Sequence, residues 1–399
     1  MTDIEVHGEV APGFEPLREV FSKVALEFNQ GGGAYAAYHQ GRKVADLWAG
    51  EWSEHTTAQF MSVTKAVTAL CVQMLHDRGE LDVFEPIASY WPEFAAEGKA
   101  GITVADVLTH RSGVIGDAAL TSLINLDDGG GWDRVEAISA SVAASVPFWE
   151  PGTQVGYHTT TYGWILGEVI RRVDGRDLGT FFHEEVAKPL RVEVGIGAPV
   201  AEHDRLAPVL PLWWPAFPPE IQSYLETFFA MCRDDTTAAG VSCQARDGVG
   251  ALDRLPEIFN ALPGRVTPLG GSNMTGTARD AARVFAAMAE PEGFDGVVLA
   301  SAESFRLFTD VHEARPDIIL MLPITRGLGY VRNVPPPGRP ASMGPNPEAF
   351  GHGGVGGQFG FSDPVARVGV AGVRNHYASF SLAPLFLNAA LYDCIAATS

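Results

Sequence analysis

The sequence predicts an α+β fold, an antiparallel sheet flanked by helices with an inserted, mainly helical domain. Strand patterns cluster near the two ends of the chain, and helical patterns dominate from about 62 to 290. The 399 residues, 46% of them hydrophobic, are enough to pack two or three structural units. We therefore place a sheet domain at 1–70 and 290–399, a helical domain at 71–289, and the active site in the cleft between them.

The N-terminal part of the chain predicts one helix and one hairpin. Apolar residues recur with a mainly helical period over 13–29, which favours an amphipathic helix. Two alternating segments, 34–38 and 44–48, are separated by Gln40 and Gly41. Such segments around a short polar turn are typical of a β-hairpin. These strands form the first half of the predicted sheet.

The middle of the chain predicts a series of helices separated by glycine and proline. Their expected ranges are 62–78, 103–109, 133–145, 160–173, 178–187, 220–231 and 277–289. Two segments, 208–219 and 335–347, are rich in proline with tryptophan or glycine and predict long loops. Long loops in compact domains are often lids or pocket walls, although plain surface connections fit equally well.

The C-terminal part returns to strands. Alternation over 356–361 and again over 366–373, with Ser362-Asp363-Pro364 between them, predicts a second hairpin. An apolar helix is expected over 382–397. Strands at both ends of the chain then belong to one sheet.

Charge and hydropathy exclude several classes of partner. The net charge of −20 argues against nucleic acid and against anionic membrane surfaces. A membrane span needs about 18 consecutive apolar residues, and the sequence has no such run. The first residues carry neither a basic nor an apolar signal region, so we expect no secretory signal and a cytoplasmic location. The sequence leaves the oligomeric state open.

The cysteine and histidine patterns indicate neither a metal site nor a disulfide framework. Cys71, Cys232, Cys243 and Cys394 lie far apart in the sequence. Reduced thiols of this kind fit a cytosolic enzyme. The eleven histidines form no metal-binding motif, so we expect no metal and no other cofactor.

Two familiar motifs are rejected on their context. Residues 351–356 match a dinucleotide-binding fingerprint, but the segment after them alternates as a strand, whereas the fingerprint needs a helix there. An α/β-hydrolase would need Gly-x-Ser-x-Gly. Ser242 and Ser272 each have only the first of the two glycines.

Ser62-Val63-Thr64-Lys65 is the candidate nucleophile motif. Ser62 stands at the start of the helix predicted over 62–78, where free N–H groups favour developing negative charge. Lys65 lies three residues on and projects from the same face. A serine hydroxyl needs a neighbouring base, and a lysine in a low-dielectric pocket has a lowered pKa that suits this task. By itself the spacing favours a capping serine followed by a solvated lysine, and only the further segments below change this balance.

Two further segments complete the candidate site. Tyr157 precedes the helix predicted over 160–173, and a nearby ammonium would make its phenol more acidic. His352-Gly353-Gly354-Val355 forms a glycine-rich strand, where a substrate can approach the main chain and an N–H can face an oxyanion. A core tyrosine and a glycine-bent strand are the alternatives.

In this order and spacing the three motifs resemble the serine β-lactamase-like family of the class C and penicillin-binding-protein fold, and most closely its family VIII carboxylesterases. The family pattern is Ser-x-x-Lys, then Tyr-x-Asn, then Lys-Thr-Gly near the C-terminus, and its first and last parts are a general signature of β-lactamases. The segments 107–114 and 271–280 also resemble the family. The resemblance covers nearly the whole chain.

The departures from the family pattern favour esters of uncharged acids. Thr159 replaces the Asn of Tyr-x-Asn, and His352 replaces the Lys that suits a substrate carboxylate. A histidine is mostly neutral at pH 7. The alternative is a structural role for His352 behind the strand. We expect an apolar pocket wall from Trp213, Trp214 and Phe217.

The resemblance implies a cytoplasmic serine carboxylesterase that acts on small-molecule esters through an acyl-enzyme. Ser62 would attack the carbonyl, and Tyr157, assisted by Lys65, would take its proton. By analogy with the family, the N–H groups of Ser62 and Val355 would hold the oxyanion. A β-lactamase, a D-amino-acid peptidase or an acyltransferase on the same fold remain alternatives, and so does a catalytically inactive binding protein.

Overall fold

The computed structural model describes residues 4–26, 31–335, 338 and 340–398. The α-helices within these residues are α1 (Glu15–Ala25), α2 (Thr64–Asp77), α3 (Val104–Leu108), α4 (Ala118–Leu123), α5 (Val135–Ala144), α6 (Thr161–Asp174), α7 (Leu178–Phe182), α8 (Lys188–Leu190), α9 (Pro219–Cys232), α10 (Ala238–Ser242), α11 (Leu255–Asn260), α12 (Leu262–Val266), α13 (Ala278–Ala289), α14 (Ala302–Thr309) and α15 (Ala383–Thr398). The strands are β1 (Val6–Val10), β2 (Gly32–His39), β3 (Arg42–Gly50), β4 (Ala58–Gln59), β5 (Val194–Ile196), β6 (Leu210–Trp213), β7 (Met274–Gly276), β8 (Pro316–Asp317), β9 (Leu322–Pro323), β10 (Val331–Arg332), β11 (Phe350–Gly354), β12 (Gln358–Asp363), β13 (Val368–Arg374) and β14 (His376–Ala378).

An antiparallel sheet of seven strands joins the two ends of the chain, in the order β1-β3-β2-β13-β12-β11-β10. The central contact pairs β2 with β13, from Gly33 opposite Arg374 to His39 opposite Val368. Both predicted hairpins are confirmed. The first turns at Gln40 and Gly41, whose φ angles of +50° and +76° suit a tight hairpin turn. The α+β prediction and the assembly of the sheet from both termini are therefore confirmed.

Helices cover both faces of the sheet. Alternate residues of the central strands point to opposite sides, so Tyr35 and Ala37 pack with α1 and α15, while Ala36 and Tyr38 join the larger core on the other side. Helix α13 packs on that second side against β2, β12 and β13. The predicted division at 70/71 and 289/290 stays a prediction; it assigns α13 to the helical domain although this helix lies on the sheet.

The predicted helices of the middle region are present, with ends displaced by at most three residues. The segment predicted as one helix over 178–187 consists of α7, a π-helical turn over His183–Ala187, and α8. The prediction for 13–29 corresponds to α1, and its last residues, 27–29, lie outside the described residues. The loop predicted at 208–219 contains β6, because this segment pairs in parallel with β14. No helix among the described residues combines the length and apolar character needed to cross a membrane.

Candidate active site

Ser62 lies in a tight turn immediately before α2. Met61, the preceding residue, has a φ of +48°, in the left-handed region that a residue with a side chain adopts at a cost of about 1–2 kcal/mol. The Met61 carbonyl offsets this cost, since it accepts hydrogen bonds from the Thr64 N–H at 2.9 Å and the Thr64 hydroxyl at 2.6 Å. The turn presents the Ser62 side chain to a cavity at the N-terminus of the helix.

Lys65 meets Ser62 one helical turn later, as the spacing predicts. Its Nζ lies 3.5 Å from Ser62 Oγ and 3.0 Å from each of two main-chain carbonyl oxygens, those of Thr159 and Gly271. The approach of Gly271 depends on its missing side chain, because a Cβ there would stand 3.3 Å from Lys65 Nζ. Three separate parts of the chain therefore meet at the amino group of Lys65.

The environment of Lys65 favours the neutral amine. The side chain is completely buried, and this burial lowers the pKa of Lys65 to about 7. Carbonyl oxygens can only accept, so the two carbonyl contacts use two N–H groups of Lys65. A neutral amine has no third N–H, and its remaining lone pair is available to the Ser62 hydroxyl at the third contact. Lys65 is thus arranged as a base for Ser62.

Tyr157 lines the same cavity as Ser62, and its phenol interacts with the Ser62 hydroxyl. Burial raises the pKa of the Tyr157 phenol, and the interaction with Ser62 only partly opposes this shift. Lys65 Nζ lies 4.7 Å from the centroid of the Tyr157 ring, over its face. The expectation of a more acidic phenol is therefore wrong, because burial outweighs any nearby positive charge.

His352 is a neutral wall residue of the same cavity. Its ring lies 6.1 Å from the ring of Tyr157, and its Nδ1 donates to the Gly353 carbonyl at 2.6 Å, which leaves Nε2 as an acceptor. Burial first, and then the charge of Lys65, lower the pKa of His352 to about 3. The expected neutrality of His352 at pH 7 agrees with this shift, and the ring faces the cavity rather than the back of the strand.

The end of β11 packs directly against the turn that carries Ser62. A Cβ on Gly354 would lie 2.6 Å from the Phe60 carbonyl oxygen and 3.2 Å from Met61 Cβ, so only glycine fits. Within the part of the chain that the structure describes, the N–H groups of Ser62 and Val355 make no hydrogen bond to another protein atom. Both residues line the cavity. The two N–H groups are therefore free to bind an oxyanion.

The residues 351–356 do not form a dinucleotide site. They belong to β11 and the turn after it, and β12 follows with Gln358–Asp363. No helix begins there to receive a pyrophosphate. The rejection of the dinucleotide motif is confirmed.

The cavity beside Ser62 has a volume of about 510 Å³ and a mainly apolar wall. Helices α9 and α11 supply much of this wall, together with the segment after β8. The apolar side chains involved include Tyr224, Leu225, Phe228, Phe229, Leu255, Ile258, Phe259, Ile319 and Leu320. The spacing of Leu225, Phe228 and Phe229 in the sequence is a helical apolar face that could have identified α9 as a wall.

The predicted wall of Trp213, Trp214 and Phe217 needs correction. None of the three is among the residues that line the cavity. Trp214 packs on Phe229 with ring centroids 4.7 Å apart, and Phe217 packs on Phe380 at 5.7 Å. Since Phe229 and Phe380 do line the cavity, the predicted residues form a second layer behind them. Trp213 instead faces His376, because β6 pairs with β14.

Comparison with known proteins finds relatives over nearly the whole chain. The β-lactamase family profile matches residues 21–391. The chain is 30% identical to the protein named esterase/beta-lactamase LipL of Mycobacterium tuberculosis, over 94% of this chain and 84% of LipL. A crystal structure of a family VIII carboxylesterase superposes with a TM-score of 0.83 at 31% identity, over 98% of this chain and 100% of that one. A crystal structure of a penicillin-binding protein homologue from Caulobacter crescentus superposes with a TM-score of 0.82 at 30% identity, over 98% of this chain and 100% of that one.

Proposed function

The chain belongs to the β-lactamase family and is a serine hydrolase of the esterase type, and we propose that it cleaves small uncharged carboxylic esters through an acyl-enzyme on Ser62. The observation that carries the proposal is the contact of Ser62 with Lys65 at 3.5 Å, in surroundings that favour a neutral lysine. A serine with such a base is an activated nucleophile.

Acylation begins when Ser62 Oγ attacks the ester carbonyl carbon and its proton passes to Lys65 Nζ. The carbonyl oxygen becomes an oxyanion, which accepts hydrogen bonds from the N–H groups of Ser62 and Val355. Collapse of this intermediate breaks the bond to the alcohol and leaves the acyl group on Ser62. Water then attacks the acyl-enzyme, and the carboxylic acid leaves.

Tyr157 acts in this scheme as a protonated phenol. Its raised pKa keeps the phenol protonated at neutral pH, so Tyr157 has no free phenolate to accept a proton and the proton of Ser62 goes to Lys65. The phenol donates a proton to the departing alkoxide and is reprotonated from the Lys65 ammonium. This relay keeps the three residues of the sequence prediction and reverses the order in which Lys65 and Tyr157 receive the proton.

The charges in the cavity support an uncharged substrate. His352 is neutral, and Lys65 is largely neutral above pH 7. The guanidinium of Arg326 also lines the cavity, but it pairs with the buried carboxylate of Asp317 at 2.6 Å. Apolar acyl groups fit the wall formed by α9 and α11. No metal or organic cofactor takes part in the proposed reaction.

A panel of nitrophenyl esters tests the proposal. We expect wild-type protein to hydrolyse neutral acyl groups, and Ser62→Ala to lose turnover while it stays folded. The hydroxyl is the only group removed, and it makes no capping hydrogen bond to α2, so the fold should be retained. Near-normal turnover of purified Ser62→Ala would overturn the proposed mechanism.

Hydrolysis of β-lactams is a second candidate activity, because the name of the relative LipL contains both activities. Nitrocefin assayed beside the esters separates the two, and we expect the ratio of kcat/KM to favour the ester. Added alcohol or amine, followed by product analysis, tests for acyl transfer. Failure of Ser62 to react with a fluorophosphonate would instead indicate an inactive binding protein. We retain the cytoplasm as the proposed location.

A further inference from the structure

The segment that carries Tyr157 has no regular structure and is held mainly by buried side chains. Gly156 donates its N–H to the His110 carbonyl at 3.0 Å, and His158 donates its N–H to Nδ1 of the same His110 at 3.2 Å. The main-chain N–H and carbonyl of Tyr157 itself form hydrogen bonds with two other residues. Its N–H donates to Asp317 Oδ1 at 3.2 Å, and its carbonyl accepts from the Ser242 hydroxyl at 2.7 Å.

Ser242 holds this segment from the helical side. It is the last residue of α10, and its side chain is completely buried. The Tyr157 carbonyl can only accept, so the single hydroxyl hydrogen of Ser242 is used there. Ser242 Oγ in turn accepts the Thr159 N–H at 3.0 Å, and the Thr159 carbonyl is one of the two that bind Lys65. One hydroxyl therefore fixes both the tyrosine and a partner of the proposed base.

Asp317 holds the segment from the opposite side. Its carboxylate is completely buried and pairs through Oδ2 with Arg326, which is only 3% exposed. The other oxygen, Oδ1, accepts the N–H groups of Ile319 and Leu320 at 2.9 Å each, in addition to that of Tyr157. Since Ile319 and Leu320 line the cavity, Asp317 ties its wall to the position of Tyr157.

We propose that Ser242 and Asp317 are positioning residues that hold Tyr157 beside Ser62 through its main chain, an inference that rests on the proposed function. A tyrosine side chain has only two torsions, so the place of its main chain largely decides where its hydroxyl lies. A displacement of about 1 Å in a catalytic group costs up to roughly 100-fold in rate. Neither residue touches the substrate in this scheme, and each acts through Tyr157.

Ser242→Ala tests the proposal against a matched control, Ser362→Ala. Ser362 is also completely buried and also donates to a main-chain carbonyl at 2.7 Å, that of Phe285, but it lies on β12 outside the cavity wall. We expect Ser242→Ala to lower kcat for a neutral ester about 10–100-fold with little change in KM. For Ser362→Ala, kcat and KM should each stay within about twofold of the wild-type values. Equal effects of the two variants would overturn the inference.

The same substitution in a Tyr157→Phe background separates positioning from a general loss of structure. Ser242 also holds Thr159, whose carbonyl binds Lys65, so part of the loss should remain, but Ser242→Ala should cost several-fold less once the phenol is gone. An undiminished loss there would contradict the proposal. A crystal structure of Ser242→Ala provides a readout without activity, and an unmoved Tyr157 would also contradict it.

Asp317→Asn extends the test to the other side, with Glu168→Gln as its control. Glu168 is a buried carboxylate that binds Arg171 and Arg172 on α6, outside the cavity that contains Ser62. We expect a fall in kcat for Asp317→Asn and none for Glu168→Gln. Wild-type turnover and its loss in Ser62→Ala are measured first. If wild type shows no turnover, or Ser62→Ala keeps it, the proposed function is overturned. If Ser242→Ala and Asp317→Asn change kcat no more than their control variants do, only the positioning role is overturned.

Discussion

Replacement of Lys65 by methionine should remove activity and change the pH dependence of stability. Burial lowers the pKa of Lys65 from 10.5 to about 7, so the folded protein binds one proton fewer than the unfolded chain between these values. Stability therefore rises with pH across this window. At about 1.36 kcal/mol per unit, the free energy of unfolding gains roughly 3–4 kcal/mol between pH 7 and pH 10 from this group.

Methionine has a similar length and no charge, so the variant lacks this contribution. At pH 7 the removal of a costly buried amine offsets the loss of its hydrogen bonds to the Thr159 and Gly271 carbonyls, each about 1–3 kcal/mol. The difference between wild type and variant should then shift in favour of wild type as pH rises. Activity should fall about 10²–10⁴-fold, as for loss of a general base.

Urea unfolding at pH 7, 8, 9 and 10 measures this difference, with Lys188→Met as the control. Lys188 begins α8, and its side chain is exposed, so this variant should follow wild type at each pH. In parallel, wild-type kcat/KM for a neutral ester should rise with pH through a midpoint near 7. A constant difference between wild type and Lys65→Met would refute the account of Lys65 as a buried, largely neutral base.

Two other substitutions test the shape and charge of the cavity. His352→Lys should raise kcat/KM for an anionic β-lactam up to roughly 100-fold relative to a neutral ester, because a charge-assisted contact is worth about 1.5–3 kcal/mol. Equal changes with both substrates would indicate a structural role for His352. Leu255→Trp should narrow the cavity at the wall formed by α11, and therefore lower kcat/KM for long acyl chains more than for acetate esters. A loss of the same size for long-chain and acetate esters would contradict an acyl-binding role for this wall.

The sequence predicts the local parts of the site well. Ser62 and Lys65 are one helical turn apart, so the helical period alone brings them to one face. The glycines of β11 indicate a close approach of main chains, and Gly354 does pack on the turn before Ser62. The sheet also follows from local alternation, since both hairpins close through short turns that the residue types favour.

The pocket wall and the supports of Tyr157 depend on contacts between distant parts of the chain. Trp213, Trp214 and Phe217 are apolar and close together in sequence, yet β6 is drawn to β14 and the rings fall behind Phe229 and Phe380. Ser242 and Asp317 reach Tyr157 across 85 and 160 residues. No periodic pattern marks such pairs, because a single buried side chain meets a single main-chain group.

The acidity of Tyr157 shows how burial changes a prediction made from neighbours alone. A lysine nearby suggested a phenol that loses its proton easily. In the folded chain the ring is enclosed by His110 and His352, and Lys65 lies over its face. Desolvation of the phenolate then dominates the pKa. Burial of this kind depends on the complete fold and cannot be read from the order of residues.

Covalent labelling of the nucleophile tests the central claim most directly. Wild-type protein is incubated with a fluorophosphonate, its intact mass is measured, and the modified peptide is sequenced. An activated serine displaces fluoride and keeps the phosphonyl group. The account predicts one adduct per chain, on Ser62, and none in Ser62→Ala. An adduct on another residue, or one that persists in Ser62→Ala, would contradict it.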